Sequence, residues 1–216
     1  MKALETKNRI AILGSSKGLG YQTYRLLHGQ YPEADFLCVS RKIQQVELYD
    51  RTQILTADFS KSPVDPNIFE TIRNFQPTDI IYCAGGGPYG FFQDKKMSDH
   101  EWAMNVNFMF PMTLIKNLSD INMRQMIFIG SSIAENQPDL KAASYCAAKH
   151  ALRGLITTLQ VENSLPFNVR LFSPGYIQTD LLPAHSLPRQ QGLARPAPEV
   201  AEELVKFFAS EQPNWP

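Results

Sequence analysis

The sequence is poor in cysteine and has no excess charge of either sign, and both shortages narrow the classes of protein to which it can belong. Its three cysteines are an odd number and form no C-x-x-C pair, which argues against a disulfide framework or a zinc site and predicts reduced, buried thiols. The 21 Lys and Arg residues balance the 21 Asp and Glu residues, so no net field favours nucleic acid or an anionic membrane. A small-molecule partner is therefore the expectation.

Long hydrophobic runs are also missing. No stretch approaches the roughly 20 apolar residues that cross a bilayer, and the N-terminal residues 1–8 are polar. We therefore expect a cytoplasmic protein with no membrane partner. The histidines show no spacing typical of metal ligands, so we expect no metal and interpret His28, His100, His150 and His185 as surface or capping residues.

Short apolar runs alternate with helical patterns along the chain. The predicted strands cover residues 9–13, 36–39, 53–56, 79–83, 125–129 and 169–172. This alternation predicts a parallel sheet, and runs that are apolar on both faces indicate that helices cover each side. At 216 residues the chain suits a single domain over residues 1–216. The predicted fold class is α/β, a doubly wound parallel sheet of about six strands with helices on both faces.

Four helices are predicted, over residues 19–29, 98–119, 142–162 and 198–209. Gly29 suits the position just past the end of the first helix. Ser98 suits the N-cap of the second, with Glu101 at the third position after it, and Pro111 should bend that helix. The proline-rich residues 183–198 are the only long irregular segment, which we expect either to line the ligand crevice on the substrate side or to be a surface excursion.

A glycine-rich turn follows the first predicted strand and contains Gly14, Ser16, Lys17, Gly18, Leu19 and Gly20. Glycines here let the backbone turn tightly and approach a diphosphate, whose charge meets free N–H groups at the positive end of the next helix. The same residues match G-x-S-x-G, the nucleophile elbow of hydrolases, with Ser16 as nucleophile and a base from His100, His150 or His185. An elbow on the first strand leaves no earlier strand to build an oxyanion loop, so a serine hydrolase is the weaker alternative.

Ser132, Tyr145 and Lys149 follow the spacing S-x12-Y-x3-K. Tyr145 and Lys149 share one helix face, and Ser132 follows the fifth predicted strand at its carboxyl end, where sites collect. An ammonium about 4 Å from a phenol, at an effective dielectric near 20, contributes roughly 4 kcal/mol, enough to lower the phenol pKa by some 3 units. We therefore expect Tyr145 to be a general acid/base and Ser132 to hold the substrate oxygen.

Taken together, these motifs resemble the short-chain dehydrogenase/reductase family. The resemblance covers about residues 9–209 and rests on Gly14-x3-Gly18-x-Gly20, Ala84-Gly85, Asn107, Ser132, Tyr145-x3-Lys149 and Pro174-Gly175 in the order of the family. It implies a Rossmann-type sheet, a nicotinamide cofactor and hydride transfer to or from a carbonyl or alcohol carbon. It also implies that Asn107 holds a water in a proton relay through Lys149, with Asn105 as a competitor and a helix-bending role as the structural alternative.

The choice of cofactor is predicted from the end of the second strand. Ser40, Arg41 and Lys42 stand where a dehydrogenase that prefers NAD carries an acid for the ribose 2′-hydroxyl. Arg41 can stack on adenine and fork onto a 2′-phosphate, and Lys17 can supply a second charge, so NADP(H) is the predicted cofactor. The resemblance adds further cofactor residues, namely Asp58 (or else a turn cap) with Phe59, Ala84, Gly85, Pro174, Gly175, Ile177 and Thr179 (or else a helix cap).

The predicted function is NADP(H)-dependent reduction of a small-molecule ketone or aldehyde, because cells keep NADPH reduced. A non-catalytic NADP(H)-binding sensor or regulator on the same fold is the main alternative. An open substrate pocket is expected, lined by Tyr89, Phe91, Phe92, Ile133 and Leu181. The sequence lacks the final strand that follows the last helix in the family and that often supports a subunit interface. We therefore do not expect the tetramer of the family from the resemblance, and a homodimer remains an open alternative.

Overall fold

Six parallel strands form the central sheet of the molecule. The computed structural model describes residues 7–43, 48–132 and 139–210. The strands are β1 Arg9–Leu13, β2 Asp35–Ser40, β3 Thr52–Thr56, β4 Asp79–Tyr82, β5 Gln125–Ile129 and β6 Asn168–Phe172. They lie in the order β3-β2-β1-β4-β5-β6, and all neighbouring pairs are parallel. The predicted parallel sheet is thereby confirmed.

Helices cover both faces of this sheet. They are α1 Gly18–Gln30, α2 Pro66–Phe75, α3 Met97–Met104, α4 Phe110–Asn117, α5 Ala143–Glu162, α6 Leu187–Gln190 and α7 Ala197–Ala209. Leu27 of α1 and Leu204 of α7 belong to the core on one face. Ile72 of α2, Phe110 of α4 and Ile156 of α5 belong to the core on the other face. The doubly wound arrangement is therefore as predicted.

Side chains of the strands alternate between these two cores, as the twofold period of a strand requires. In β1, Ile10 and Ile12 face the core of α1 and α7, whereas Ala11 and Leu13 face the opposite core. The strand β3 departs from the expectation that every strand is covered on both faces. It lies at the edge of the sheet, and Ile54 is 45% exposed.

Two predictions about the helices of the first half need correction. Gly29 does not follow α1 but lies inside it, and the helix is capped at Tyr31. The helix α2 was not predicted, although Asp65 and Pro66 give a start signal. The Asp65 carboxylate accepts from the N–H of Asn67 at 3.0 Å, and Pro66 occupies the first turn, where its missing N–H costs nothing.

The helix predicted over residues 98–119 is interrupted. It begins at Met97, and Asp99 rather than Glu101 accepts from the backbone N–H of its N-cap residue Lys96, at 3.2 Å. A π-helical turn, Asn105–Met109, separates α3 from α4. Pro111 lies in the first turn of α4, so the break falls before the proline. Turns of this kind are rare and occur frequently at functional sites.

The segment of residues 183–198 is more regular than predicted. It contains α6 and the short strand β8, Arg195–Pro196, which pairs with β7, Ile177–Gln178. The guanidinium of Arg189 donates to the carbonyls of Leu182 and Thr179, both at 3.1 Å, and ties the segment to the chain that follows β7. Among the helices that the structure describes, none is both long and apolar enough to cross a membrane.

Candidate active site

A cleft of about 530 Å³ lies at the carboxyl edge of the sheet. Its wall combines the glycine-rich turn after β1 with the loops that follow β4, β5 and β6 and with the start of α5. The predicted site residues on this wall are Lys17, Gly18, Leu19, Gly20, Ala84, Gly85, Ser132, Tyr145, Lys149, Pro174, Gly175, Ile177 and Thr179. The structure therefore brings most of the predicted set into one cleft.

The glycine-rich turn packs tightly against the loop that follows β4. Gly14 has a φ of +93°, and a Cβ atom built on it would lie 2.5 Å from the backbone nitrogen of Ala84. A Cβ on Gly20 would collide with the carbonyl oxygen of Gly14. Only glycine fits both positions. The N-cap residue of α1, Lys17, makes no side-chain cap, so the first N–H groups of the helix stay open toward the cleft.

Tyr145 is hydrogen-bonded to a serine one position before the predicted one. Its phenol bonds to Ser131, which is buried. Ser132 also lines the cleft, and its backbone N–H donates to the carbonyl of Pro174 at 3.2 Å. Both serines therefore lie on the wall of the cleft that holds Tyr145, and the spacing rule alone did not single out the one that is hydrogen-bonded to it.

Lys149 lies against Tyr145 but is bonded elsewhere. Its Nζ donates to the carbonyl of Ile129 at 2.8 Å and lies 5.5 Å from the centre of the Tyr145 ring. Burial lowers the pKa of Lys149 to about 8, against a smaller raising effect of Cys83. The one acceptor leaves two of its three N–H donors without a partner in the described part of the chain.

The predicted lowering of the Tyr145 pKa is wrong for this structure. Burial raises the pKa of Tyr145 to about 12, and the hydrogen bond from Ser131 opposes this only in part. The sequence argument placed the Lys149 ammonium next to the phenol oxygen, whereas the structure places it over the ring. Desolvation of the phenolate is therefore the dominant influence on the pKa of Tyr145.

Asn107 is hydrogen-bonded to Gly86 in the loop that follows β4, so its side chain does not stand free in the cleft. Its side-chain amide donates to the carbonyls of Gly86 at 2.5 Å and Ala103 at 2.7 Å, and its oxygen accepts from the Gly86 N–H at 3.3 Å. Asn107 is fully buried in the π-helical turn. The competitor Asn105 donates instead to the carbonyl of Ser60 at 3.0 Å. Of the two, Asn107 is the one next to the site.

The residues predicted to hold the adenosine end lie outside the wall of the cleft. Ser40 is buried at the end of β2, and its Oγ has no partner among the described residues. Burial disfavours the Asp58 carboxylate, but hydrogen bonds from Ser60 and the charge of Arg41 hold its pKa below the ordinary value. Asp58 thus caps the turn at Ser60, which is the alternative role that we considered.

Phe59 and Lys17 differ from the predicted contacts. The side chain of Phe59 is buried in the core, 4.5 Å from Phe110 between ring centres, so only its backbone is available to a cofactor. Lys17 forms an ion pair with Asp180 at 2.7 Å, and both side chains are largely exposed. This pair joins the glycine-rich turn to the loop after β7.

The four histidines have contacts that exclude the serine hydrolase arrangement for the described residues. His28 stacks on Tyr49, and His185 contacts the ring of Tyr89. The Nδ1 atom of His150 bonds to the carbonyl of Cys146 at 2.9 Å. His100 corrects the surface prediction, because it is buried, with Nδ1 bonded to Ser144 Oγ and its ring stacked on Phe92. Ser16 receives no hydrogen bond from any of them.

Two of the residues predicted to line the substrate pocket, Tyr89 and Leu181, lie on the wall of the cleft. Phe91 and Phe92 do not, and they are 49% and 61% exposed. Ile133 lies outside the described residues.

Several residues at the site were missed by the sequence argument. A Cβ on Gly87 would come within 2.9 Å of the Tyr145 Cβ, and one on Gly86 would collide with Trp102. The strand β4 ends at Tyr82, and the run Gly85-Gly86-Gly87, which begins after two further residues, was the available signal. Other missed residues on the cleft wall include Ser131, Asp139 and Tyr176.

The site has the features that a nicotinamide dinucleotide requires. Uncapped N–H groups at the start of α1 suit a diphosphate. The two N–H donors of the Lys149 ammonium that have no acceptor among the described residues suit ribose hydroxyls. The Oγ of Ser40, which is likewise without a partner in residues 7–43, 48–132 and 139–210, stands at the end of β2, where the adenosine ribose of a Rossmann-type protein lies. The residues of the site therefore fit a nicotinamide dinucleotide.

The order of the strands and the glycine-rich turn define a Rossmann-type α/β protein. The profile of the family described as short chain dehydrogenase matches residues 8–189. The chain thus belongs to the short-chain dehydrogenase/reductase family, an oxidoreductase family, and the resemblance drawn from the motifs is confirmed.

Similarity to individual proteins extends over most of the chain. The 3-ketodihydrosphingosine reductase TSC10 of Yarrowia lipolytica is 28% identical over 206 residues, which cover 83% of this chain and 54% of that protein. The cyclic-di-GMP-binding biofilm dispersal mediator protein of Escherichia coli is 26% identical over 188 residues, covering 83% of this chain and 77% of that protein. The crystal structure of BdcA in complex with NADPH has a TM-score of 0.81 at 20% identity and covers 94% of this chain and 88% of that chain. The chain spans about half the length of the 3-ketodihydrosphingosine reductases it matches.

Proposed function

We propose that this protein reduces a small-molecule ketone or aldehyde with NADPH, with Tyr145 as the proton donor. The observation that carries the proposal is the shared cleft, in which Tyr145 and Lys149 face the glycine-rich turn after β1. The similarity to 3-ketodihydrosphingosine reductases supports a carbonyl substrate. The NADPH complex of the similar BdcA structure supports the cofactor.

The raised pKa of Tyr145 keeps this residue in the protonated form that reduction requires. A phenol with a pKa of about 12 holds its proton at neutral pH, so the proton for the carbonyl oxygen is present on Tyr145. When bound, the reduced nicotinamide would supply a hydride to the carbonyl carbon. The Tyr145 hydroxyl then gives its proton to the carbonyl oxygen, which becomes the alcohol. Ser131 holds the phenol in place, and Ser132 is suited to bond the substrate oxygen.

The surrounding residues keep this arrangement fixed. Asn107 bonds to both the carbonyl and the N–H of Gly86 and so holds the backbone of the loop that passes Tyr145. The Lys149 ammonium, with two N–H donors left, would hold the nicotinamide ribose and return a proton to the Tyr145 phenolate. Each of these roles depends on burial, because water would compete for the same bonds.

The Tyr145→Phe variant tests the catalytic part of the proposal. Loss of a general acid lowers kcat about 10²-fold to 10⁴-fold, whereas NADPH affinity should stay within a few-fold of the wild type. The measurement is NADPH oxidation with a panel of ketones and aldehydes, together with NADPH binding by fluorescence. Tyr31→Phe, which removes a phenol from the far edge of the sheet, is the matched control. Undiminished turnover by Tyr145→Phe would remove the mechanism.

The preference for NADPH over NADH rests on the cations near the end of β2. Arg41 is exposed, and no carboxylate stands in the three positions Ser40, Arg41 and Lys42. Arg41→Ala should raise KM for NADPH about 10-fold to 100-fold, the range for hydrogen bonds to a charged group, and raise KM for NADH much less, because NADH shares the adenine but lacks the 2′-phosphate. Arg25→Ala, an exposed cation on α1, is the control. Equal KM values for the two cofactors in the wild type would contradict this preference.

A second candidate function is NADP(H) binding without turnover, in a sensor or regulator. The similarity to a cyclic-di-GMP-binding protein of Escherichia coli favours it, because that relative is named for binding. The intact set of Tyr145, Lys149 and two serines in one cleft favours the reductase. NADPH binding in the absence of oxidation by every carbonyl tested would decide for the sensor.

A further inference from the structure

An arginine that does not line the cleft is bonded to a segment that does. Residues 177–196 begin at β7 and end at β8, and these two strands pair with each other at the base of the loop. The side-chain amide of Gln178 donates to the carbonyl of Ala194 at 2.8 Å and closes the same base. Arg189 on α6 crosses the loop and bonds to residues 179–182, which form part of the wall of the cleft.

Arg189 holds this segment, residues 179–182, at both ends. Its Nη2 donates to the carbonyl of Thr179 and its Nε to the carbonyl of Leu182, both at 3.1 Å. The N–H of Leu182 also donates to the Thr179 carbonyl at 3.1 Å, so the segment forms a closed turn. In the ranges that the structure describes, Arg189 forms no ion pair, and these bonds go to the backbone.

The shape of the guanidinium suits this bracing. Its nitrogen atoms lie in one plane and point their N–H groups in fixed directions, so one side chain can reach two carbonyls at once. Hydrogen bonds from a charged donor are also stronger than those between neutral groups. A lysine side chain would keep the charge but carries a single nitrogen. Arg189 is therefore suited to fixing the backbone and not only to supplying a charge.

The ties between the segment and the glycine-rich turn are weaker. Lys17 and Asp180 pair at 2.7 Å, but both side chains are largely exposed, and such pairs contribute little. Thr179 only touches the turn, since a Cβ atom built on Gly18 would lie 3.1 Å from its Cγ2. A surface segment held in this way opens at a low cost in free energy. The two bonds of Arg189 therefore decide how much of the time the segment stays on the wall.

The segment belongs to the part of the cleft that would hold the nicotinamide. It shares the wall with Tyr145 and Lys149, whereas the residues at the end of β2 that are predicted to hold the adenosine end lie outside that wall. We propose that Arg189 is a positioning residue for the cofactor: it holds residues 179–182 in the conformation that binds the nicotinamide half and thereby raises the affinity for NADPH. The proposal rests on the NADPH binding of the proposed function and is independent of the reduction step.

Binding of a whole and a half cofactor tests this role without turnover. The probes are NADPH and adenosine 2′,5′-bisphosphate, which has the adenine and the 2′-phosphate but no nicotinamide. Calorimetry should show that Arg189→Met binds NADPH about 10-fold more weakly than the wild type, because the cofactor then has to order the segment itself. Affinity for the bisphosphate should stay within about threefold, since a ligand that binds both conformations of the segment equally does not depend on their balance. Arg195→Ala, which removes an exposed cation from the same loop, is the control and should bind both probes as the wild type does.

Arg189→Lys separates the hydrogen bonds from the charge. One nitrogen cannot meet both carbonyls as the fork does, so this variant should also bind NADPH more weakly, by about threefold or more. Urea unfolding checks that each variant is folded, and Arg189→Lys carries the comparison if Arg189→Met is not.

The outcomes separate this inference from the reductase function. Unchanged NADPH affinity in Arg189→Met, an equal loss for NADPH and the bisphosphate, or wild-type affinity in Arg189→Lys would overturn the role of Arg189. A wild type that does not bind NADPH would overturn both. If no ketone or aldehyde of the panel is reduced while the selective loss of NADPH affinity in Arg189→Met persists, the reductase function is rejected and the role of Arg189 stands.

Discussion

The two edges of the central sheet both carry buried polar groups, but they differ in how fully these groups are paired. At the amino edge, the buried Asp79 carboxylate is met by Arg124, Gln125 and Thr78. Arg170 bonds to Gln125 and to the chain at Ser210, and of this set only its Nε lacks a partner among the described residues. The polar groups of this edge form one connected network.

At the carboxyl edge, some of the buried polar groups are under-paired. The Lys149 ammonium has one acceptor, and the Oγ atoms of Ser40 and Ser173 have none in the part of the chain that the structure describes. Of these three residues, Lys149 lines the cleft. Because buried polar groups are nearly always satisfied, the deficit at Lys149 marks a place where a ligand completes the bonds. A larger cavity of about 630 Å³ lies at the amino edge, but the polar side chains on its wall are bonded to one another. It is therefore a weaker candidate for a ligand site than the smaller cleft.

Replacing Lys149 is the strongest way to sharpen this contrast. Lys149→Met should lower kcat/KM about a hundredfold or more, because the proton relay and a cofactor contact are both lost. The same change should stabilise the fold. The folded state lowers the Lys149 pKa from 10.5 to about 8, so it binds the proton less tightly than the unfolded chain does. Ionised Lys149 therefore destabilises the fold below about pH 8, and the stability of the wild type rises between pH 8 and 10.5.

The measurement is urea unfolding of wild type and Lys149→Met across this pH range. At pH 7 the variant should be more stable by about 1–3 kcal/mol, and the difference should shrink as the pH approaches 10. A variant that is less stable than the wild type at pH 7 would show that Lys149 is satisfied by the fold, and the contrast between the two edges would fail.

The contrast also explains which parts of the site the sequence could predict. The glycine positions, Tyr145 and Lys149 are fixed by local geometry, since a strand, a turn and one helix face determine where they lie. Hydrophobic periodicity likewise determines the order of strands and helices. These features are local or are imposed by the two cores, and the fold class follows from them.

What the sequence could not predict depends on contacts between distant segments. Lys149 lies on α5, but the orientation of its amine depends on the carbonyl of Ile129 at the end of β5. The burial that raises the pKa of Tyr145 comes from several loops together. The core position of Phe59 was missed because the residue follows a strand whose neighbours in the sheet were not yet known. Contacts between residues that are distant in the sequence cannot be inferred from the spacing of a motif.

Replacing Arg124 tests the opposite edge. Arg124→Ala leaves the fully buried Asp79 carboxylate with only Thr78 and Gln125, and removal of one partner of such a pair costs about 3 kcal/mol of unfolding free energy. Urea unfolding measures this loss, and kcat should stay at the wild-type value because the cleft is at the other edge. Arg195→Ala, which breaks an exposed pair with Glu203, is the control and should change stability little. A fall in kcat with unchanged stability would contradict the assignment of this edge to structure.

The two serines before α5 have different expected roles. Ser131 lowers the pKa of Tyr145, whereas Ser132 is expected to bond the substrate oxygen. Ser131→Ala removes the hydrogen bond that lowers the Tyr145 pKa, so the phenol becomes a weaker acid and kcat should fall about tenfold with KM for the carbonyl substrate unchanged. Ser132→Ala removes a bond to the substrate oxygen, so kcat/KM should fall by a similar factor with a higher KM for the carbonyl substrate. A fall in kcat confined to Ser132→Ala would restore the assignment made from the spacing.

The smallest expected effect concerns the exposed ion pair of Lys17 and Asp180. The pair spans the glycine-rich turn and the loop after β7, so NADPH can recruit Lys17 to its 2′-phosphate only by competing with Asp180. Asp180→Asn removes the competitor and also a negative charge from the wall of the cleft. Because exposed pairs are weak, NADPH affinity should rise by no more than about fivefold, with a smaller gain at high salt. Weaker NADPH binding by Asp180→Asn would mean that Asp180 holds Lys17 in the conformation that the cofactor needs, and the carboxyl edge would then be better paired than we describe.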